Sequence, residues 1–293
     1  MNIIIENKIT EARKFFEDDS YLLDFYNSAI ECYEKSDSPL KINNFACNIR
    51  ELLREKMALV APDNIVADCS WCKGQKYLDT ENKPTRRARI RYCLLSNMPD
   101  STVEEIFKEK IEEIENEYTS QIKQLSVYTH VTKEVFYKSQ NECDLRFSEI
   151  LNLLSDIIGL IKTAQKMTTT EIENFLYDDI SDHIYNDCID PELDLLSNHT
   201  YVEDISDLNF SIDNIDKDYI FIEGTATLDT CLQYGSYSEM HRGDGASFDM
   251  SFDMDFSVKI NITDFDDKEY KYETVNTDKF YGIEDGDQQI CNT

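Results

Sequence analysis

Glycine is scarce in this chain, with eight residues in 293. The motifs that depend on it are correspondingly missing: there is no GxxxxGK(S/T) loop to cradle phosphates, no GxGxxG turn after a strand and no GxSxG nucleophile elbow. Nucleotide-driven, dinucleotide and α/β-hydrolase chemistry therefore have no support. Long apolar runs are lacking too. Stretches such as Ile157, Ile158, Leu160 and Ile161 are interrupted within a few positions, far short of the ~20 residues that cross a bilayer, so no membrane contact is expected. The opening MNIIIENKIT has neither a basic start nor a small-residue cleavage site, which argues against a secretory signal and predicts a cytoplasmic protein. Nine cysteines, an odd number spread over a long chain, read as free and mostly buried thiols in a reducing compartment.

Positive charge is short as well, and unevenly so. The formal charge is −30; residues 168–293 hold 31 of the 59 acids but 6 of the 29 bases, a net of −25, against −5 for residues 1–167. An acidic field repels phosphates at long range, so nucleic acid could meet the second segment only through metal ions or a charged partner. Phosphate could land on the first segment.

What is present is periodic. Val103, Phe107, Ile111, Ile114, Tyr118, Ile122 and Leu125 recur about every 3.7 residues, one face of a long amphipathic helix over 101–125, with Thr102 and Glu105 as its capping box. Leu145, Ile150, Leu153, Leu154, Ile157, Ile158 and Ile161 predict a central helix over 142–166. Further helices are expected near 20–35, 40–60, 84–97 and 170–188, with Pro39 and Pro84 at first-turn positions, and 62–83 reads as a long connection. The period then changes to two. From Phe248 to Ile262 every even position is apolar, and Ile220 to Tyr234 repeats the pattern less cleanly, which predicts a long antiparallel hairpin joined by a loop at 235–247. Apolar positions must share a face, so paired residue numbers sum to an even value. A sum of 482 sets Glu223 opposite Lys259, and it also sets Asp229 opposite Asp253, an unfavourable like-charge pair. Flanking strands are expected near 201–212 and 268–275. The predicted class is α+β: a helical bundle over 1–198, an antiparallel β domain over 199–280 built around the long hairpin, and an acidic tail over 281–293.

Several clusters could carry chemistry. Lys73, Lys76, Lys83, Arg86, Arg87, Arg89 and Arg91 form a basic strip. Its arginine forks suit phosphate oxygens and so nucleic acid, while a plainer reading makes it a contact for the acidic second segment. Cys69 and Cys72 are half of a zinc site with no second pair to complete it, so zinc is not expected and buried thiols beside Trp71 are preferred. His130 in LSVYTH is a candidate general acid or base, or simply a partner for a helix end; no arginine stands five to seven residues before any histidine, which disfavours a HEPN-type ribonuclease. In and after the 235–247 loop, His241, Asp244, Asp249, Asp253 and Asp255, with Asp229 across the hairpin, could hold Mg²⁺ or Mn²⁺ for phosphodiester hydrolysis. The plain alternative is a solvated sheet face.

Four stretches carry a resemblance: NNFACNIRELLREKMALVAPD at 43–63, PTRRARIRYCLL at 84–95, LSVYTHV at 125–131 and LQYGSYSEMHRGDGASFDMSF at 232–252. Together they resemble the bacterial family of predicted pPIWI-associating nucleases. That resemblance implies a component of a prokaryotic anti-phage defence system similar to a metal-dependent nuclease and acting with a protein partner. The residue roles come from the local clusters instead: Arg86, Arg87, Arg89 and Arg91 would steer nucleic acid, Asp244, Asp249, Asp253 and Asp229 would hold the cation, and His241 or His130 would move protons. The competing expectation is a non-catalytic adaptor or sensor that binds a protein partner.

Overall fold

The computed structural model describes residues 3–136, 138–187, 191–273, 275–277 and 280–282. Two compact units divide at Thr169/Thr170, inside a helix and upstream of the change in secondary structure near 198. The first unit holds α1 (Ile3–Lys14), α2 (Ser20–Lys35), α3 (Lys41–Val60), the short α4 (Asp63–Ala67) and α5 (Gly74–Tyr77), α6 (Arg86–Leu95), α7 (Asp100–Phe107), α8 (Lys110–Val127) and the single turn α9 (Lys133–Phe136). Helix α10 (Gln140–Asp187) begins in this unit and ends in the second. The second unit continues with the turn α11 (Pro191–Asp194), then β1 (His199–Ile215), β2 (Tyr219–Tyr234), α12 (Tyr237–Arg242), β3 (Ala246–Asn261) and β4 (Asp264–Tyr272). The α+β class stands as expected. No helix among the described residues is long and apolar enough to cross a membrane.

In the first unit, α2 and α3 bury stripes at helical spacing, among them Leu22, Tyr26 and Tyr33 on α2 and Phe45, Ile49, Leu52 and Leu53 on α3. The Tyr33 ring stacks on Phe147 of α10 at 4.0 Å between centroids, with Phe45 tilted against the same ring at 4.7 Å. The expected single helix over 101–125 is two helices, because Lys108 takes φ 53° and ends α7. Helix α7 starts at Asp100 after Pro99, so Thr102 and Glu105 lie inside it and form no capping box. The two helices expected over 142–166 and 170–188 are one, the 48-residue α10. The connection at 62–83 is structured: it carries α4, α5 and a bridge between Leu78 and Pro84, and packs Val66, Cys69, Trp71, Cys72 and Tyr77 into one buried cluster.

The second unit is a meander of four antiparallel strands in the order β1-β2-β3-β4. Alternate residues of β2 and β3, such as Ile220, Ile222, Leu228, Phe252, Met254 and Val258, are buried. The end of α10 covers that face with Ile172, Leu176, Ile180 and Ile184; Tyr177 stacks on Phe210 and His183 lies 3.6 Å from the Tyr270 ring centroid. Parity gives the correct faces, but the register sum is 480, two residues away from the expected pairing. Asp229 therefore faces Ser251, and Asp253 faces Thr227. The Ser251 hydroxyl donates to Asp229 at 2.5 Å and the Thr227 hydroxyl to Asp253 at 3.0 Å. The slip replaces a repulsive pair by two hydroxyl–carboxylate bonds at no cost to the apolar face. Glu223 meets Ser257 rather than Lys259, whose ammonium sits 3.9 Å from the Tyr219 ring centroid. Of the expected acidic tail, residues 283–293 lie outside the described residues.

Candidate functional site

Thr85 caps α6 by accepting the Ala88 N–H, and the arginines that follow diverge around the helix. Arg86 is exposed. Arg87 bonds Asn116 and approaches Glu115 at 3.7 Å. Arg89 donates to the Ala61 carbonyl at 2.6 Å and pairs with Asp63. Arg91 is buried, donates to the Tyr77 hydroxyl at 2.9 Å and to Asp100 at 2.5 Å, and lies 4.9 Å from the Trp71 ring centroid. Three of the four thus spend their charge on acids of their own unit, an arrangement that neither reading of the strip anticipates. They present no common outward face.

The acid at the middle of this arrangement is Glu115, with 0% of its surface exposed. It accepts from the Tyr77 hydroxyl at 3.2 Å and lies 3.7 Å from Lys76, 3.7 Å from Arg87 and 3.8 Å from Arg91. Burial is the dominant influence and holds its carboxyl above the ordinary range, against the pull of Lys76, Arg91 and Arg87. Sequence reasoning passed over it, although a signal exists. Glu115 follows Ile111 by four residues and precedes Tyr118 by three, so it occupies the apolar stripe of α8 where a carboxylate needs partners. The neighbouring thiols are pushed up by burial, Cys93 to about 12; Cys69 and Cys72 are buried beside Trp71.

His130 is exposed on the segment after α8. That segment is held by the buried Asn43, whose Nδ2 donates to the carbonyls of Tyr128 and His130 at 3.0 Å each. His241 and Asp244 belong to the other unit. The stretch expected as a plain loop folds into α12, begun by a capping box between Ser236 and Glu239 and ended by Gly243 at φ 79°. His241 stands 4.5 Å from the Tyr237 ring centroid and Asp244 lies 3.9 Å from Arg242, all four side chains exposed. Asp249, Asp253 and Asp255 follow along the open face of β3. Strand rise separates Asp249 from Asp253 by ~13 Å, and Asp229, opposite Ser251, is a diagonal neighbour of both. Among the described residues no three His, Cys, Asp or Glu side chains come together as a group able to hold a metal ion.

Two family models match the chain, one over residues 13–154 and one over 163–281, each described as a predicted pPIWI-associating nuclease. The chain belongs to the predicted pPIWI-associating nuclease family. The first match takes in Glu115 with its cations and the His130 segment; the second takes in α12 and the sheet. No curated protein and no solved structure matches it.

Proposed function

We propose that this member of the family cleaves nucleic-acid phosphodiesters as a component of a prokaryotic anti-phage defence system, together with a protein partner. The observation that carries this reading is the family membership itself, which spans both units. Asp229 and Asp253, diagonal neighbours on the open sheet face, with Asp249 and Asp244 at its end, are the proposed donors for Mg²⁺ or Mn²⁺. Mg²⁺ commonly takes only one or two carboxylates and completes its shell with water and substrate phosphate. Such a cation would polarise the phosphodiester and lower the pKa of bound water. His241, beside Asp244 on α12, is the proposed proton carrier of this unit, and His130 that of the first. Arg86 is the arginine left exposed to steer nucleic acid.

The test is cleavage of single- and double-stranded DNA and RNA by the purified full chain with Mg²⁺ or Mn²⁺, alone and with its partner. Asp244→Ala and Asp253→Asn are each expected to lower cleavage at least a hundredfold. Intact substrates under all of these conditions would sink the reading, and full activity in both variants would remove the proposed donors. A non-catalytic adaptor is the second reading, favoured by the net −25 of residues 168–293 and by the internal pairing of Arg87, Arg89 and Arg91. It requires stable co-purification with a partner that keeps all the activity when this chain is removed.

A further inference from the structure

The first unit has a pocket of about 600 Å³ between α3, α8 and α10, well away in sequence from the acids of the sheet. That volume lies within the ~300–1,000 Å³ of small-ligand sites. Its lining sorts by chemistry. Ile42 and Leu153 are apolar, and Val127, 67% exposed, stands at its lip. Tyr128 supplies an aromatic ring whose hydroxyl donates to Glu149 at 3.2 Å. Arg146 donates to the same carboxylate at 2.8 Å, with its guanidinium 5.6 Å from the Tyr128 ring centroid. Glu149 therefore fixes ring and guanidinium together, so ordering them costs a ligand little. Gln124 and Asn152 add amides; Lys8 occupies the Asn152 Oδ1, which leaves the Nδ2 donors.

The pocket is polar along its length. Lys138, 3.8 Å from Glu142, and Arg146, bonded to Glu149, lie toward the start of α10, and Asp156 lies ~15 Å from Arg146 along the helix at the helical rise. The N–H groups that those carboxylates leave over are the donors a phosphate would take there, and Asp156 would repel it at the other end. A stacking ring, amides for the edge of a planar heterocycle and two cations at one end are the complement of a nucleobase carrying a phosphate. We infer that this pocket binds one unpaired nucleobase with its adjoining phosphate, seating the phosphate toward Lys138 and Arg146. The inference rests on the reading of the chain as one that acts on nucleic acid, and names that substrate as single-stranded. A base within a duplex is stacked and paired, and cannot enter.

Fluorescence anisotropy with the full chain in EDTA tests this without any cleavage, using labelled single-stranded RNA and DNA hexamers, the matching duplexes, and a mononucleotide as competitor. The single strands should bind at least tenfold more tightly than the duplexes. Tyr128→Phe, which keeps the ring but loses its bond to Glu149, should bind more weakly than wild type and more tightly than Tyr128→Ala. Tyr128→Ala should lose about tenfold or more, from the ~1–3 kcal/mol that stacking of a base on an aromatic ring contributes. Val127→Asp, at an exposed position that leaves the core untouched, should weaken binding similarly by placing a carboxylate at the lip. A mononucleotide that competes at equal affinity overturns the assignment to a strand, and one that competes weakly supports it. Tyr128→Ala and Val127→Asp proteins that keep their circular dichroism and bind like wild type overturn the inference, as do duplexes that bind equally well. Base-specific binding without cleavage would defeat the nuclease reading alone, whereas cleavage with Tyr128→Ala binding unchanged would defeat the pocket alone.

Discussion

Replacement of Arg91 by alanine gives the sharpest test of how the basic strip is used. The guanidinium is buried, bonds Tyr77 and Asp100, and lies 4.9 and 5.4 Å from the centroids of the Trp71 and Tyr77 rings. Asp100 is largely exposed, so it regains water when its partner is lost and contributes little. The cost lies with Glu115, which stays buried with one cation fewer, and with the rings, which lose their neighbour. Breaking a buried charge pair from one side costs about 3–5 kcal/mol, and a desolvated cation–π contact about 2; taking the shared part once, about 3 kcal/mol is expected. At a urea m-value near 1.5 kcal/mol/M the midpoint falls by about 2 M. Trp71 is the only tryptophan of the chain and lies against the lost group, so its fluorescence follows this unit alone and should itself change. Arg86→Ala, at an exposed position, should cost under about 0.5 kcal/mol. Equal midpoints for the two variants would refute the internal role. A phosphate-contacting Arg91 would instead leave stability intact and lower the salt dependence of nucleic-acid binding by about one ion.

Two further outcomes follow from packing and charge. Glu115 has a folded pKa raised above its ordinary 4.5, so its contribution to stability is fully present below about 4.5 and is lost as pH rises through the raised value. The cost of Glu115→Gln should accordingly be larger at pH 4 than at pH 7.5 in urea unfolding followed by Trp71, and a cost that grows with pH would contradict the direction. A Cβ at Gly224 would lie 2.5 Å from Phe256 Cζ, 2.6 Å from Phe210 Cβ and 2.7 Å from the Asn209 carbonyl oxygen. Gly224→Ala should destabilise the sheet by about 1–3 kcal/mol, seen in the β signal of circular dichroism while the Trp71 transition stays in place; an unshifted β transition would mean the strands yield freely there.

Much of the fold is legible in the residues taken alone, because local chemistry writes faces. A 3.6-residue recurrence marks the buried stripes of α2, α3 and α8, and the strict alternation from Phe248 to Ile262 marks a strand covered on one side. The four motif stretches carry the family, and the separation of charge between the two segments needs no coordinates. Faces do not specify partners, however. Parity restricts the hairpin to even sums, yet 482 and 480 bury the same side chains, and the choice falls to Ser251 and Thr227 across from Asp229 and Asp253. Helix ends depend on backbone strain at a single residue, as at Lys108, and apolar spacing does not record it. The fate of the arginines depends on acids distant in the chain: Arg89 on Asp63, and Arg91 on Glu115. A charge density counted along the sequence treats those side chains as free to meet a ligand. Only the docking of α5 and α6 on α8 brings Glu115 among three cations, and in a medium that excludes water such proximity, rather than composition, decides which charges remain available.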